Sequence, residues 1–458
     1  MSSAFEQRRA GLLLHPTSLP SGVLDGDVDR WLEVLKGAGC GVWQVLPLGE
    51  PTSGKSPYHA VSAFAINPAL MNDFGKVDTS APGFQAFCDS HEWLDDYALF
   101  IMLREKYEHR PWTEWKAKHR KRDAEAMEKY RSKHEKGLNK LRWQQFRLHQ
   151  RWAEIRQAAN DAGILLFGDM PLFVAHNSVD VWATPKNFRL DDEGNMEVVT
   201  GVPPDYYSET GQLWGNPHYD WEYMKSDGYD WWLRRIGAHL ELFDMLRLDH
   251  FRGLQASWVV DGDAENALNG HWEEMPGDEL LRLCSERFGD VPVIAEDLGF
   301  ITDEVTELRT KYELPGMAVL HFGFDAHGDN PHRIINVTED RVVYTGTHDN
   351  DTTIGWFLSL DDATRVHVCE ALGLEPDLSG DELELARQVC RSMIDAAMRT
   401  PGKLCIIPLQ DLLEVGADGR MNVPGTIEGN WGWSFAWEEI SNERIDQHAR
   451  STQSCGRT

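Results

Sequence analysis

Phe243-Asp244-Met245-Leu246-Arg247-Leu248-Asp249-His250-Phe251-Arg252-Gly253 reads as a strand that ends on charge. Side chains of an extended chain alternate between faces, so Met245, Arg247 and Asp249 share one side and Leu246 and Leu248 the other. An arginine and a carboxylate on one face can hold each other ionised, because breaking such a pair once it is buried costs about 3–5 kcal/mol. A carboxylate kept anionic at a strand end is a candidate nucleophile. For any isolated Arg-x-Asp the alternative is a structural ion pair, and the rest of the chain has to decide between them.

Seven further runs resemble this one, each apolar and most of them closing on polar or charged residues: Gly11–His15, Val42–Pro47, Ile164–Asp169, Val293–Asp297, Met317–Phe322, Val342–Asp349 and Leu404–Asp411. Helix-like patterning fills most of the intervals, for example Asp29–Gly39, Asp278–Phe288 and Glu384–Met398. Eight alternating strand and helix units predict an α/β chain folded as a (β/α)8 TIM barrel, with functional residues at the C-terminal strand ends. Those ends read His15, Asp169, Asp249, Glu296, His348 with Asp349, and Asp411. A doubly wound open sheet also alternates in this way, but it favours a glycine-rich turn after its first strand, and none is present here.

Composition narrows the function. The chain has 458 residues, 41% of them hydrophobic, enough for a large core, and a formal net charge of −29 that opposes nucleic acid and anionic membranes and leaves neutral substrates. Its seven cysteines are scattered, with no Cys-x-x-Cys pair, so a reducing, cytoplasmic setting is expected rather than a disulfide framework or a zinc site. No signal-peptide core and no apolar run of membrane-spanning length is found.

Two intervals are too long for a single helix. Residues 49–163 open with the loop Pro51–Tyr58 and continue into charge-laced helical sequence in which Leu141, Leu148, Trp152, Ile155 and Ala159 recur on one face. Lys and Arg are dense between Arg104 and Lys136, but Glu and Asp interleave with them, as on a solvated helical surface. Residues 172–240 form an aromatic-rich, loop-rich insertion expected to cover the cleft, and the Gly/Pro content of 201–217 predicts a long ordered loop. The last ten residues read as a frayed polar tail. The whole chain, 1–458, is expected to be a single catalytic barrel carrying these two insertions after its second and third strands.

Asp249, Glu296 and Asp349 end three different strands, so a closed barrel brings them to one mouth. Such carboxylates are the apparatus of a retaining glycosidase, in which one attacks the anomeric carbon and another protonates the leaving oxygen. Arg247 keeps Asp249 ionised on this reading, while acidic neighbours favour the protonated form of Glu296. The 18 tryptophans and the tyrosines offer stacking surfaces for pyranose rings. A metal cluster of His348, Asp349, Asn350 and Asp351 with Asp249 and His250 is disfavoured by the absence of paired-His spacing. A serine hydrolase is disfavoured by the absence of a Gly-x-Ser-x-Gly elbow.

The chain resembles the amylomaltases, the 4-α-glucanotransferases or disproportionating enzymes of glycoside hydrolase family 77, related to the α-amylase clan. The resemblance is carried by Gly11–Pro20, Trp43–Gly49, Trp93–Phe100, Gly168–Pro171, the 201–217 loop, Arg247–Gly253, Ala295–Gly299, Thr345–Asp351, Arg420–Thr426 and Glu428–Trp431, in order along nearly the whole chain. It implies that Asp249 is the nucleophile of a covalent glucosyl-enzyme, Glu296 the acid/base and Asp349 a third carboxylate stabilising the transition state, with Arg247 and His348 in support. Tyr58, Asp169, Gln212, Trp214, Asp325 and Asn422 fall where such enzymes place substrate contacts, and the 201–217 loop matches one that arches over the cleft. No metal or organic cofactor is implied. The implied partners are maltooligosaccharides and α-1,4-glucans, with glucose or short maltooligosaccharides as acceptors, on a chain that can work as a monomer. A mainly hydrolytic α-glucosidase or amylase-like enzyme using the same acids, and a non-catalytic glucan-binding protein, are the alternatives. Lys55, His59 and His321 depart from the usual pattern, which bears on donor length and acceptor preference and leaves the three acids untouched.

Overall fold

The eight apolar runs become eight parallel strands that close on one another in chain order. A computed structural model describes residues 5–204, 209–325, 327–426 and 428–457. Its strands are β1 (Arg9–Leu13), β2 (Val42–Gln44), β3 (Leu165–Met170), β4 (Val198–Val202), β5 (Gln212–Pro217), β6 (Met245–Leu248), β7 (Ala256–Asp261), β8 (His271–Glu274), β9 (Val293–Ala295), β10 (Gly316–Val319), β11 (Arg341–Tyr344) and β12 (Leu404–Pro408). The large sheet runs β10-β11-β12-β1-β2-β3-β6-β9, every pair parallel. Ala295 N donates to Pro315 O at 2.8 Å and joins the two ends. The result is the (β/α)8 barrel expected from the sequence.

Alternation along the strands sorts their side chains into two cores. Leu13, Val42, Phe167, Met245, Ile294, Met317, Val342, Tyr344 and Ile406 fill the barrel interior. Leu12, Trp43, Leu166, Leu246, Ala295, Ala318, Val343 and Cys405 face outward into the layer shared with the helices. Strands buried on both faces need continuous apolar sequence, which is why they stand out in this chain. At Gly168 a Cβ would lie 2.3 Å from the ring of Phe243, so β3 requires glycine where that ring crosses it.

The first long interval is helical. Helices at Phe84–Ser90, Trp93–Lys106, Ala117–Arg120 and Ala124–Asp161 pack beside β2 and β3, and the long one leaves helical geometry at His134. Its predicted face is buried at Leu148, Trp152, Ile155 and Ala159. Trp152 Nε1 donates to Leu242 O at 2.8 Å and Arg156 pairs with Asp244 at 2.8 Å, which docks the helix on the entry to β6.

Two segments differ from the sequence expectation. The stretch 201–217, expected as one long loop, begins and ends in strands: β4 and β5 pair antiparallel, and β7 and β8, from beyond β6, extend them into a four-stranded sheet, β5-β4-β7-β8. Residues 205–208, between β4 and β5, lie outside the described residues. Nor is the C-terminal stretch a frayed tail. Asn442–Ser454 is a helix, and Arg457 is wholly buried, donating from Nε to Met398 O and from Nη2 to Thr400 O, each at 2.8 Å. A polar composition conceals this because the arginine satisfies its donors on backbone carbonyls instead of water. Among the described residues no helix is long and apolar enough to cross a membrane.

Candidate active site

At the C-terminal end of the barrel the strand ladder continues just far enough to seat two acids. Asp249 N donates to Met170 O and Glu296 N to Leu248 O, both at 3.1 Å, so β3, β6 and β9 deliver these residues side by side. Below them Arg247 points into the barrel, with its side chain 5% exposed, opposite a fully buried Asp169. Its Nη1 donates to both oxygens of Asp169, at 2.9 and 2.8 Å, and its Nη2 lies 2.7 Å from Asp249 Oδ1. Asp169 also accepts from the Tyr58 hydroxyl at 2.7 Å. One guanidinium thus serves two carboxylates. Asp169 is buried beneath the cleft, whereas Asp249 keeps 27% of its side chain exposed.

Glu296 is oriented by backbone. His250 N donates to Oε2 at 2.7 Å and Leu298 N to Oε1 at 3.1 Å. His250 presents its amide this way from a left-handed conformation, φ 55° and ψ 49°, an unusual setting for a non-glycine residue and one that clusters at functional sites.

Burial is the largest influence on both acids. It pushes Asp249 up to about 6 against the opposing pull of Arg247, with Asp169 and Asp349 adding repulsion. It pushes Glu296 further, to about 8, with Arg247 again opposing and Asp249 and Asp297 contributing. The order expected from the sequence is kept, but its cause is corrected: desolvation, not acidic neighbours, contributes most to Glu296.

The third acid comes from the loop after β11. Asp349 accepts from Asn422 Nδ2 at 2.6 Å on Oδ1 and has His348 Nε2 3.4 Å from Oδ2, while Arg420 Nη2 donates to its backbone carbonyl at 2.9 Å. Burial lowers the pKa of His348 and favours the neutral ring. That ring stacks on Tyr58 at 5.2 Å, and Trp431 tilts against both, at 5.8 and 5.7 Å. Across the mouth, Trp214 on β5 meets His250 edge to face at 4.6 Å, and its Nε1 lies 3.5 Å from Gln212 Oε1.

Among the described residues, Asp411, His15 and Asp325 make no hydrogen bond or ion pair with the three acids. Asp411 is buried and accepts from Thr345 and Thr353, bracing the β11 loop from behind. His15 is buried, and burial pushes its pKa down to about 3. Asp325 is exposed and accepts from His327 N at 3.1 Å; among the described residues no hydrogen bond or ion pair links it to the three acids. Arg420 and Trp431 have no role on sequence grounds, although both lie inside segments that carry the family resemblance; the spacing Arg420-x-Asn422, two polar residues on one side of an extended segment, is the available signal.

The 4-alpha-glucanotransferase family model matches residues 14–74 and 70–439. The chain belongs to this family. Among 4-alpha-glucanotransferases it is 39% identical to that of Thermus thermophilus, covering 97% of this chain and 99% of the relative. To that of Synechocystis it is 38% identical, covering 95% of each. The solved structure of an amylomaltase from Streptococcus agalactiae in complex with acarbose superimposes with a TM-score of 0.91 at 31% identity, over 98% of this chain and 100% of the other. The cleft described above is therefore that of a glucanotransferase-family barrel.

Proposed function

We propose that the chain is a 4-α-glucanotransferase that moves α-1,4-glucan segments from a donor maltooligosaccharide to the 4-hydroxyl of an acceptor, glucose or a short maltooligosaccharide, by two displacements at one carbon. The observation that carries this reading is the division of labour imposed by Arg247. With Oδ1 of Asp249 held at 2.7 Å, Oδ2 is left for attack. In the first step Oδ2 bonds to the anomeric carbon as the bond to the leaving oxygen breaks, and the proton of Glu296 passes to that oxygen. In the second step the acceptor hydroxyl gives its proton back to Glu296 and displaces Asp249. Asp349, held by Asn422 and His348, binds sugar hydroxyls as positive charge develops at the ring. The three carboxylates account for every bond and proton in the cycle.

Tyr58, Trp214, Gln212, Asn422 and Asp325 contact the sugars on this reading. Asp169 acts from beneath, holding Tyr58 and Arg247 at the cleft. The β4–β5 hairpin, within the loop-rich insertion 172–240, covers the bound chain and favours a positioned sugar over water as the second reactant. A cytoplasmic setting accords with seven free thiols.

Incubation with maltotriose, with products resolved by chain length, tests the activity. Chains longer than the donor, glucose released and reducing ends conserved are expected. Shorter products alone, with rising reducing ends, would make the chain a hydrolase. Asp249→Asn is expected to stay folded and lose turnover; near-normal activity would remove Asp249 from the nucleophile's role.

A further inference from the structure

Just past the acid/base, two exposed aromatic rings share one buried cation. Phe300 is 74% exposed and follows Gly299, whose φ of 82° turns the chain outward. Trp272, on β8, is 37% exposed and braced edge-on by Trp258 at 5.3 Å. Arg252, 6% exposed, lies with its guanidinium carbon 3.7 Å from the Trp272 ring centroid and 5.7 Å from that of Phe300. Its Nε and Nη1 are buried without hydrogen-bond partners.

Buried arginine donors left unpaired are costly, and attraction to ring faces offsets only part of that cost. What the arrangement provides is rigidity: two flat apolar surfaces held together at the rim, which lose little conformational freedom when something stacks on them. Nε and Nη1 are shielded, the charge of Arg252 is already faced by the Glu304 carboxylate, and the net charge of −29 repels a further anion. A neutral, flat ligand fits.

Position selects which one. Because Glu296 protonates the departing oxygen, the leaving chain and the incoming acceptor lie on its side of the cleft. Phe300 is four residues further along the same segment, within about 14 Å by chain length, and Arg252 is three residues past Asp249. We infer that Trp272, Arg252 and Phe300 form an acceptor platform on which glucose rings beyond the first acceptor sugar stack, so that longer acceptors are preferred. This rests on the glucanotransferase reading and adds to it a surface that sets acceptor length.

The test is an internal competition. With α-maltosyl fluoride as donor, reducing-end-labelled glucose and labelled maltoheptaose compete in one tube, and the ratio of the two products elongated by a maltosyl unit gives the ratio of their kcat/KM values whatever fraction of the enzyme is folded. Phe300→Ala should lower the maltoheptaose-to-glucose ratio about fivefold, in line with the loss of one aromatic stacking contact, and Phe300→Trp should restore it to at least the parent value. An unchanged ratio in Phe300→Ala overturns the platform. If the parent protein transfers to neither acceptor while releasing maltose, it is the transferase reading that fails, a result the platform's own failure cannot imitate.

Discussion

Asn422 donates its side-chain amide to Oδ1 of Asp349 at 2.6 Å, across 73 residues of chain. The bond ties the loop after β11 to the segment carrying Arg420, and Arg420 returns the connection by donating to the carbonyls of Asp349 and Asn422, at 2.9 and 2.8 Å. The orientation of Asp349 is thus set jointly by two loops. Asn422→Ala removes a hydrogen bond to a charged acceptor, worth about 1.5–3 kcal/mol. Steady-state kinetics on maltotriose should show kcat/KM falling about 10- to 100-fold, with the melting temperature lowered by about 1–3 °C.

The proposed double displacement requires Asp249 ionised and Glu296 protonated. With burial holding the first at about 6 and the second at about 8, activity should rise with pH as Asp249 loses its proton and fall again as Glu296 loses its own. The pH profile of kcat/KM should be bell-shaped with its maximum between the two, and the apparent values belong to the interacting pair. Glu296→Gln, assayed on an α-glucosyl fluoride that needs no proton to depart, should form the glycosyl-enzyme without the alkaline limb. A limb that survives the substitution would transfer the acid role to another group.

Tyr58 performs two tasks that substitution separates. Its hydroxyl bonds Asp169, and its ring stacks on His348. Tyr58→Phe should cost about 1 kcal/mol of stability in urea denaturation, since Asp169 keeps Arg247, and should leave kcat/KM within about fivefold of the parent. Tyr58→Ala, which removes the stack, should lose about tenfold more activity than Tyr58→Phe. Equal losses in the two variants would mean that the hydroxyl alone matters.

The buried C-terminal arginine predicts an effect far from the cleft. Arg457→Ala takes from the carbonyls of Met398 and Thr400 one of the two arginine donors each has, leaving Arg8 Nη2 at 3.4 and 2.6 Å, and empties a buried site, so a penalty of about 1–3 kcal/mol follows. Thermal denaturation should show a melting point lower by several degrees, while activity per folded molecule at 25 °C stays as it was.

The barrel was legible because its strands are buried on both faces and so appear as short apolar runs; the acids were legible because those runs end on them. The β4–β5 hairpin was not. Gly201, Pro203, Pro204, Gly211, Gly215 and Pro217 give it the composition of a loop, and its third and fourth strands, β7 and β8, lie on the far side of β6, where no local pattern could announce them. The reason Glu296 holds its proton escaped for a related cause: neighbouring charges can be counted in a sequence, whereas desolvation exists only once the cleft has formed. Arg457 escaped because an arginine near a chain end is ordinarily solvated.

Asp169 and Arg247 occupy paired positions on adjacent strands, so their contact joins two staves of the barrel wall just below Asp249. The seat of Asp249 is accordingly a property of the wall and not of the loops above it. Substitutions in the hairpin or along the rim are therefore expected to leave that seat in place. The fold separates the part that performs the reaction from the part that chooses the reactants.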